Sequence, residues 1–321
     1  MLNNHQPLIS VICTCFNHEK YVEQAITSVK NQTYQNVELI VIDNASKDNS
    51  QAIILNLKNL YGFQHIFNET NIGLPKAFNA ALKISKGKYI IDLSADDVLL
   101  SFSIEEQVKE FQKSDINTAL IYSDAIYIDQ NNKELYLHSK KYPFQPSGFI
   151  FKDIIFKYFI CPPSIIFNRT ILEKLGGYDE SLLYEDFDYW VKSSRDHPFQ
   201  YINKPLVYRR LSGKKAFSNS FYKFKSPLAE STFIIIKKAF HLCQTNDEFS
   251  NLYHRSLFES RQCVFLGHYK IAKKYIDLAN QICIKNPNIK KSFKQSYISF
   301  CANNNIYLYP LYKIFHFITG K

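Results

Sequence analysis

The run YIIDLSADDV, residues 89–98, ends in two adjacent carboxylates, Asp96 and Asp97, and carries a third, Asp92, within it. Neighbouring charges of one sign repel, so the pair needs a reason. A solvated turn is one; a divalent cation is another. A hard ion such as Mg2+ or Mn2+ takes oxygen ligands, keeps part of its water shell and accepts phosphate oxygens for the rest. A second acidic pair, Glu185-Asp186, is followed by Asp188. It reads either as favourable charge in a first helical turn or as a carboxylate that takes a proton from an attacking hydroxyl. Tyr208-Arg209-Arg210 sets two fixed cations at a strand end, facing phosphate or balancing surface acids. Asp43, just past the apolar run VELIVI, has the form of a strand-end acid that meets a uracil N3–H or a ribose hydroxyl, and equally that of a turn Asp before a helix. A calcium loop is excluded there. In DNASKDNS the third and fifth positions from Asp43 are Ala45 and Lys47, which cannot supply the required oxygens.

Such residues work only if the fold brings them to one edge. The first hundred residues alternate strand and helix signals: strands over 7–14, 37–42, 63–67 and 88–93, helices over 19–31, 48–60 and 74–85. This alternation predicts a mainly parallel, Rossmann-like α/β sheet with helices on both faces. Ligands of such sheets bind beyond the carboxyl ends of the strands. The ends here are Thr14-Cys15-Phe16-Asn17, Asp43-Asn44-Ala45-Ser46 and Ser94-Ala95-Asp96-Asp97, three polar segments able to converge. A helix follows from Ser103, with Ser103 and Glu106 in capping-box spacing. Next come β-type runs at 119–122, 125–129, 164–167 and 205–210 and a helix over 184–196. Helices are expected over 227–243, 248–265 and 268–284, the last two as a hairpin around Gly267.

Composition narrows the function. The 321 residues are 46% hydrophobic, enough for a packed core. Seven cysteines without disulfide-type spacing suit a reducing compartment, and Cys13 and Cys15 read as small buried hydrophobes. No stretch approaches the roughly 20 apolar residues that cross a bilayer. MLNNHQPLIS is not a secretory signal, so the expected location is cytoplasmic, with peripheral attachment to the inner face of the plasma membrane admitted. Residues 1–215 hold 24 Lys/Arg and 24 Asp/Glu, whereas residues 216–321 hold 15 and 5, the whole net +10. The expected organisation is therefore an α/β domain over 1–215 and a basic, aromatic-rich helical region over 216–321. Its charge and Tyr307, Tyr309, Tyr312, Phe315 and Phe317 suit an anionic membrane surface or a helical subdomain with solvated lysines. Nucleic acid is not expected, since no recognition motif accompanies the charge. Neither Gly-x-Gly-x-x-Gly nor Gly-x-x-x-x-Gly-Lys follows the first strand, which leaves dinucleotide redox chemistry and P-loop phosphoryl transfer unsupported. If phosphates bind, a carboxylate-held cation is the substitute, offsetting the charge that grows on a leaving nucleoside diphosphate.

Three segments in order carry a resemblance. ISVICTCFNHEKYVEQAITSVKNQTYQNVELIVIDNASKDNS, with Asn17, Gln32, Glu38 and Asp43, is the first; NIGLPKAFNAALKISKGKYIIDLSADD is the second; LGGYDESLLYEDFDYW is the third. Together they resemble the inverting glycosyltransferases of family 2, which have the GT-A fold, over about residues 7–212. The resemblance implies that Thr14, Asn17 and Asp43 line a nucleotide pocket, with Lys76 and Asn79 near it. It implies that Asp96 is the metal ligand of an Asp-x-Asp motif, with Asp97 beside it, and that Mg2+ or Mn2+ is the cofactor. Asp186 would be the general base and Glu185 would orient it. A UDP-sugar is the favoured donor, and a surface glycan or lipid-linked saccharide the acceptor; a homodimer is admitted. Three positions depart from the pattern. Ser94 stands where the motif has its first Asp. Leu211 stands where some members have a His after the strand-end Arg, so that Arg209 or Arg210 would grip the diphosphate alone. Asn44 stands where an acid is common. Two other readings fit the same residues: a nucleotidyltransferase, which would release pyrophosphate, and a catalytically silent relative that binds nucleotide within a glycan-assembly complex.

Overall fold

The computed structural model describes residues 6–211 and 223–306. The chain packs as two units. Among the described residues, the first comprises 6–150, 159–181 and 196–211; the second comprises 151–158, 182–195 and 223–306. The aromatic residues expected to meet a membrane, Tyr307, Tyr309, Tyr312, Phe315 and Phe317, lie outside the described residues.

The first unit is built on a nine-stranded sheet. Strands β1 (Ile9–Cys15), β2 (Val37–Asp43), β3 (Gln64–Phe67) and β4 (Tyr89–Ser94) lie in the order β3-β2-β1-β4, all parallel. Between them run α1 (Val22–Lys30), α2 (Ser50–Tyr61) and α3 (Leu74–Ile84). Every residue of β1 is buried, as a central strand covered on both faces requires. On α1 the buried Val22, Ala25, Ile26 and Val29 repeat at helical spacing. Once the alternation of strand and helix stops, strand directions mix. The short β5 (Val98–Leu99) and α4 (Ser103–Lys113) precede β6 (Leu120–Ile128), β7 (Glu134–Leu137) and α5 (His138–Lys141); β8 (Ile166–Asn168), α7 (Arg169–Lys174) and β9 (Phe199–Arg210) complete the unit. β8 inserts antiparallel between β4 and β6, β9 runs parallel to β6, and β5 and β7 pair antiparallel with β9 and β6. The sheet is thus parallel in its first half and mixed in its second.

Three local differences from expectation have physical reasons. The β-type runs at 119–122 and 125–129 are one strand, broken in pattern because the register shifts around Ser123–Ala125. The same shift accommodates Pro205, which has no N–H to give to a ladder, and so lets β9 start at Phe199. Ser103 does not cap α4; it is the first helical residue, and its buried hydroxyl donates to the Leu206 carbonyl.

The second unit is helical: α6 (Phe151–Phe156), α8 (Glu185–Ser194), α9 (Leu228–Leu242), α10 (Asn246–Phe265), α11 (Tyr269–Lys285) and α12 (Phe293–Asn303). A capping box forms at Thr245 and Glu248, so α10 begins two residues before the expected Glu248. Its Glu248 also accepts from Arg195 at 2.7 Å. The α10–α11 hairpin turns at Gly267, whose φ of +76° suits glycine. The seven cysteines are all free, and six of them are buried. No helix among the described residues is long and apolar enough to cross a membrane.

Candidate active site

Strand register aligns three of the expected segments. Cys15 pairs with Asp43, and Thr14 with Ser94. Past the ladders, the Asn44 N–H donates to the Cys15 carbonyl at 2.8 Å and the Ala95 N–H to the Thr14 carbonyl at 2.9 Å. The carboxyl ends of β1, β2 and β4 therefore share one edge of the first unit, and Thr14, Asn17, Asp43 and Asp96 stand along it.

The turn Ala95-Asp96-Asp97 joins β4 to β5. The Ser94 hydroxyl donates to Asp96 Oδ1 at 2.6 Å, and His18 Nε2 lies 4.0 Å from Asp96 Oδ2. The Ser94 hydroxyl thus orients the Asp96 carboxylate. The carboxylates of Asp96 and Asp97 serve different ends. Asp97 is buried and accepts the Arg210 backbone N–H at 2.8 Å. Burial, and then the charge of Asp96, push the Asp97 carboxyl well above the usual range despite the pull of Arg209 and Arg210. Arg210 is buried too: Nε donates to the Asp96 carbonyl at 2.9 Å, Nη1 to the Asp129 carbonyl at 2.9 Å and Nη2 to Gln24 Oε1 at 2.8 Å. Its guanidinium lies 4.5 Å from the centre of the Tyr21 ring. Of the two adjacent arginines, Arg210 is committed to locking the turn.

Arg209 has a different setting. Nη1 donates to Tyr127 Oη at 3.3 Å, and the guanidinium lies 5.5 Å from the centre of that ring. Tyr127 Oη is 3.1 Å from His138 Nδ1, and His138 Nε2 is 2.6 Å from the Phe159 carbonyl. A carbonyl can only accept, so Nε2 carries the proton, Nδ1 accepts and Tyr127 donates. Burial, reinforced by Arg209, lowers the His138 pKa below its ordinary 6.5, although the Phe159 carbonyl pulls the other way. The native state therefore keeps this imidazole neutral while the unfolded chain protonates it. Stability against urea is expected to fall as pH drops through 6.5 towards the depressed native value, and the fall should be shallower in His138→Asn. An unchanged slope in that variant would remove His138 as its source. Neither Tyr127 nor His138 was legible as a site residue, since neither belongs to a recognisable motif.

The remaining residues along this edge hold it together. Asn17 takes φ +57°, and its side chain accepts the Lys47 N–H at 2.8 Å while its own N–H donates to Ser46 Oγ at 2.8 Å. Asp43 is fully buried; Oδ1 accepts from the Ser46 N–H at 2.9 Å and Gln51 Nε2 at 2.7 Å. These bonds make Asp43 the residue that shapes the turn at the strand end. Asn44 accepts from Asn68 and the Ile72 N–H and donates to Asn71, fixing the loop ahead of α3. Lys76 is exposed in the first turn of α3.

Asn79 was expected near the nucleotide, but its amide is taken up elsewhere. Nδ2 donates to the Tyr178 carbonyl at 2.9 Å and Glu180 Oε1 at 3.1 Å, and Oδ1 accepts the Tyr178 N–H at 3.1 Å. Asn79 pins the Gly176-Gly177-Tyr178 turn, and the Tyr178 hydroxyl donates to Asp92 at 3.0 Å, which accounts for the acid inside β4. Gly177 has φ +66°, and a Cβ there would lie 2.7 Å from Asn79 Oδ1. Gly177→Ala is expected to cost about 1–3 kcal/mol from strain and crowding, read as a lower urea midpoint. A midpoint unchanged from the native protein would contradict this reading of the turn.

The second unit holds the other acidic pair. Glu185 and Asp186 open α8, where carboxylates complement the helix dipole. Asp186 Oδ2 accepts the Tyr158 hydroxyl at 2.9 Å, and Oδ1 takes the Phe187 N–H at 2.6 Å. Tyr158 is held among Trp190, Tyr184 and Phe187, with ring centres 4.9, 5.3 and 6.0 Å away. Burial, and then Asp186, push the Tyr184 hydroxyl well above its ordinary range, so it stays protonated. Asp188 points elsewhere: it is buried and pairs with Lys238 at 2.7 Å and Lys192 at 3.8 Å. Asp186 is half-buried, whereas Asp188 is spent on its two lysines.

No group of three His, Cys, Asp or Glu side chains among the described residues could hold a metal ion alone. The donor set fits a hard ion that one carboxylate anchors and that phosphate oxygens and waters complete. The buried Nδ1 of His18, beside Asp96, has no hydrogen-bond partner, which leaves a polar atom there for bound ligand or water.

Comparison with known proteins agrees with this architecture. Residues 10–176 match Glycosyl transferase family 2. An uncharacterized glycosyltransferase of Rickettsia prowazekii is 33% identical over 218 residues, 65% of this chain and 65% of its own length. Among solved structures, Staphylococcus aureus TarS 1-349 in complex with UDP-GlcNAc superposes with a TM-score of 0.67 at 16% identity, covering 95% of this chain and 91% of that one. The mannosyltransferase PcManGT of Pyrobaculum calidifontis, in complex with GDP-Man and Mn2+, gives 0.60 at 15% identity over 94% and 88%. The fold is GT-A, and the chain belongs to glycosyl transferase family 2.

Proposed function

We propose that the protein is a metal-dependent, inverting glycosyltransferase that moves a sugar from a nucleoside diphosphate, UDP being favoured, to a hydroxyl of a surface glycan or lipid-linked saccharide. The observation that carries this reading is the locked Asp96 turn at the shared carboxyl edge of β1, β2 and β4, in a chain of this family. Thr14, Asn17, Asp43 and Lys76 attend the nucleotide. Arg209, held by Tyr127, faces the diphosphate. Asp96, oriented by Ser94, is the residue that holds a divalent ion, with Asp97 anchoring the turn behind it. When bound, that ion neutralises charge on the departing diphosphate.

Asp186 takes the proton of the acceptor hydroxyl as its oxygen attacks the anomeric carbon. The new carbon–oxygen bond forms on the face opposite the bond to the diphosphate, which breaks, so the anomeric configuration inverts and a nucleoside diphosphate leaves. Tyr158 holds Asp186 by one oxygen, and Glu185 stands beside it in the same helical turn. The test is product analysis with UDP- and GDP-sugars and a panel of saccharide acceptors. Release of nucleoside diphosphate with an inverted product supports the reading. Pyrophosphate release would make the protein a nucleotidyltransferase. Metal-dependent nucleotide binding without turnover on any acceptor would make it a binding subunit.

A further inference from the structure

Helix α12 was not expected from the sequence, and the reason is physical. Its periodicity is two-sided. Gln295, Ile298, Cys301 and Ala302 are buried, as a packed helix requires. On the other side Phe293, Tyr297 and Phe300 follow at i, i+4 and i+7, so they share one face. That face is open: these side chains are 87%, 57% and 59% exposed. Three large aromatics in a row on one exposed helix face exceed the scattered apolar residues that ordinary surfaces carry.

We propose that this face of α12 is a docking surface for an anionic lipid bilayer. Charge selects the occupant. Lys290, Lys291 and Lys294 flank the stripe, and residues 286–306 contain no acid at all. The imbalance continues over the whole region from 216, with 15 Lys/Arg against 5 Asp/Glu. A second copy of the chain, pairing the same face by a two-fold axis, would bring these lysines against their counterparts. A bilayer rich in acidic headgroups attracts them instead. The side-chain types also match the depth profile of an interface. Phenylalanine rings enter the acyl boundary, the tyrosine hydroxyl stays with the headgroups and lysine stems reach outward to phosphate. With 11 residues the helix is too short to span the roughly 30 Å hydrocarbon core and long enough to lie along its surface. The inference does not depend on sugar transfer. If that reading also holds, docking concentrates the protein where lipid-linked acceptors reside.

The test uses the full chain and two kinds of vesicle, phosphatidylcholine alone and phosphatidylcholine with an equal part of phosphatidylserine, read by co-sedimentation. Binding to the phosphatidylserine vesicles is expected to be at least about tenfold tighter and to weaken as salt is raised. The triple variant Phe293→Ser, Tyr297→Ser, Phe300→Ser changes exposed positions only, and circular dichroism checks that it folds. It is expected to lose at least about tenfold in vesicle affinity, and Lys290→Glu, Lys291→Glu, Lys294→Glu to lose a similar factor. No binding at low salt, or binding that the aromatic variant leaves unchanged, overturns the proposal. A dimer that the same variant turns into monomer, without vesicle binding by the parent, assigns the face to a second copy and overturns it too.

Discussion

Asp186→Asn will stop turnover while leaving nucleotide binding intact. The substitution is nearly isosteric, and the amide oxygen can still accept the Tyr158 hydroxyl that Asp186 accepts at 2.9 Å. The start of α8 should therefore keep its shape. What disappears is basicity, because an amide does not take a proton from an alcohol at neutral pH. A positioned general base contributes on the order of 10²–10⁴ in rate, so kcat should fall by about a thousandfold. The substitution keeps the size and hydrogen-bonding oxygen of the side chain, so nucleotide affinity should stay within about twofold. Tyr158→Phe is the companion. It removes one hydrogen bond but not the base, so its loss should be nearer tenfold, at the lower end of the about 1.5–3 kcal/mol of a bond to a charged group. Single-turnover measurements with saturating donor separate these cases. Turnover of Asp186→Asn near the native rate would remove Asp186 from the mechanism.

Asp96→Ala will abolish the dependence of nucleotide affinity on metal. In the proposed site Asp96 is the carboxylate that the protein offers to the ion, oriented by the Ser94 hydroxyl. Loss of a first ligand should cost at least about a hundredfold in affinity measured with Mn2+, and the residual affinity should no longer respond to EDTA. Two neighbours set the scale. Ser94→Ala removes the 2.6 Å bond that aims the carboxylate, so its effect should be smaller, about tenfold. Asp97→Asn should be milder still in metal affinity, because Asp97 is buried, disposed to hold a proton and bonded to the Arg210 N–H, a bond that the amide oxygen can keep. If Asp97→Asn rather than Asp96→Ala erased the metal effect, the roles of the two acids would have to be exchanged.

Much of the first unit is readable in the chain itself. Buried parallel strands write themselves as unbroken apolar runs such as Ile9–Cys15, and their polar ends mark the edge where β1, β2 and β4 meet. Other features were hidden because the sequence does not carry their long-range partners. The register shift inside β6 falls opposite Pro205 in β9, some eighty residues away. Asn79 has the residue type of a ligand contact, yet it is spent on a turn about a hundred residues on. Gln32 and Glu38 carry the family resemblance but act as staples. Gln32 donates to the Ser28 and Leu100 carbonyls and accepts the Ile104 N–H, while Glu38 accepts from Ser10, Lys86 and Gly87. Arg209 and Arg210 are adjacent and chemically identical, and only the fold separates them: one is locked by three acceptors, the other rests on Tyr127. Helix α12 escaped because half of its apolar residues face outward.

The central claim is that the shared strand edge binds a nucleoside diphosphate through an ion held at Asp96. Calorimetric titration of UDP, GDP, CDP and dTDP, each with Mn2+ and again with EDTA, tests it most directly. One nucleotide, expected to be UDP, should bind with Mn2+, and that binding should vanish with EDTA and in Asp96→Ala. Equal affinity with and without metal for every nucleotide, or no binding to any, would contradict the claim and mark Ser94 as the sign of a lost metal site.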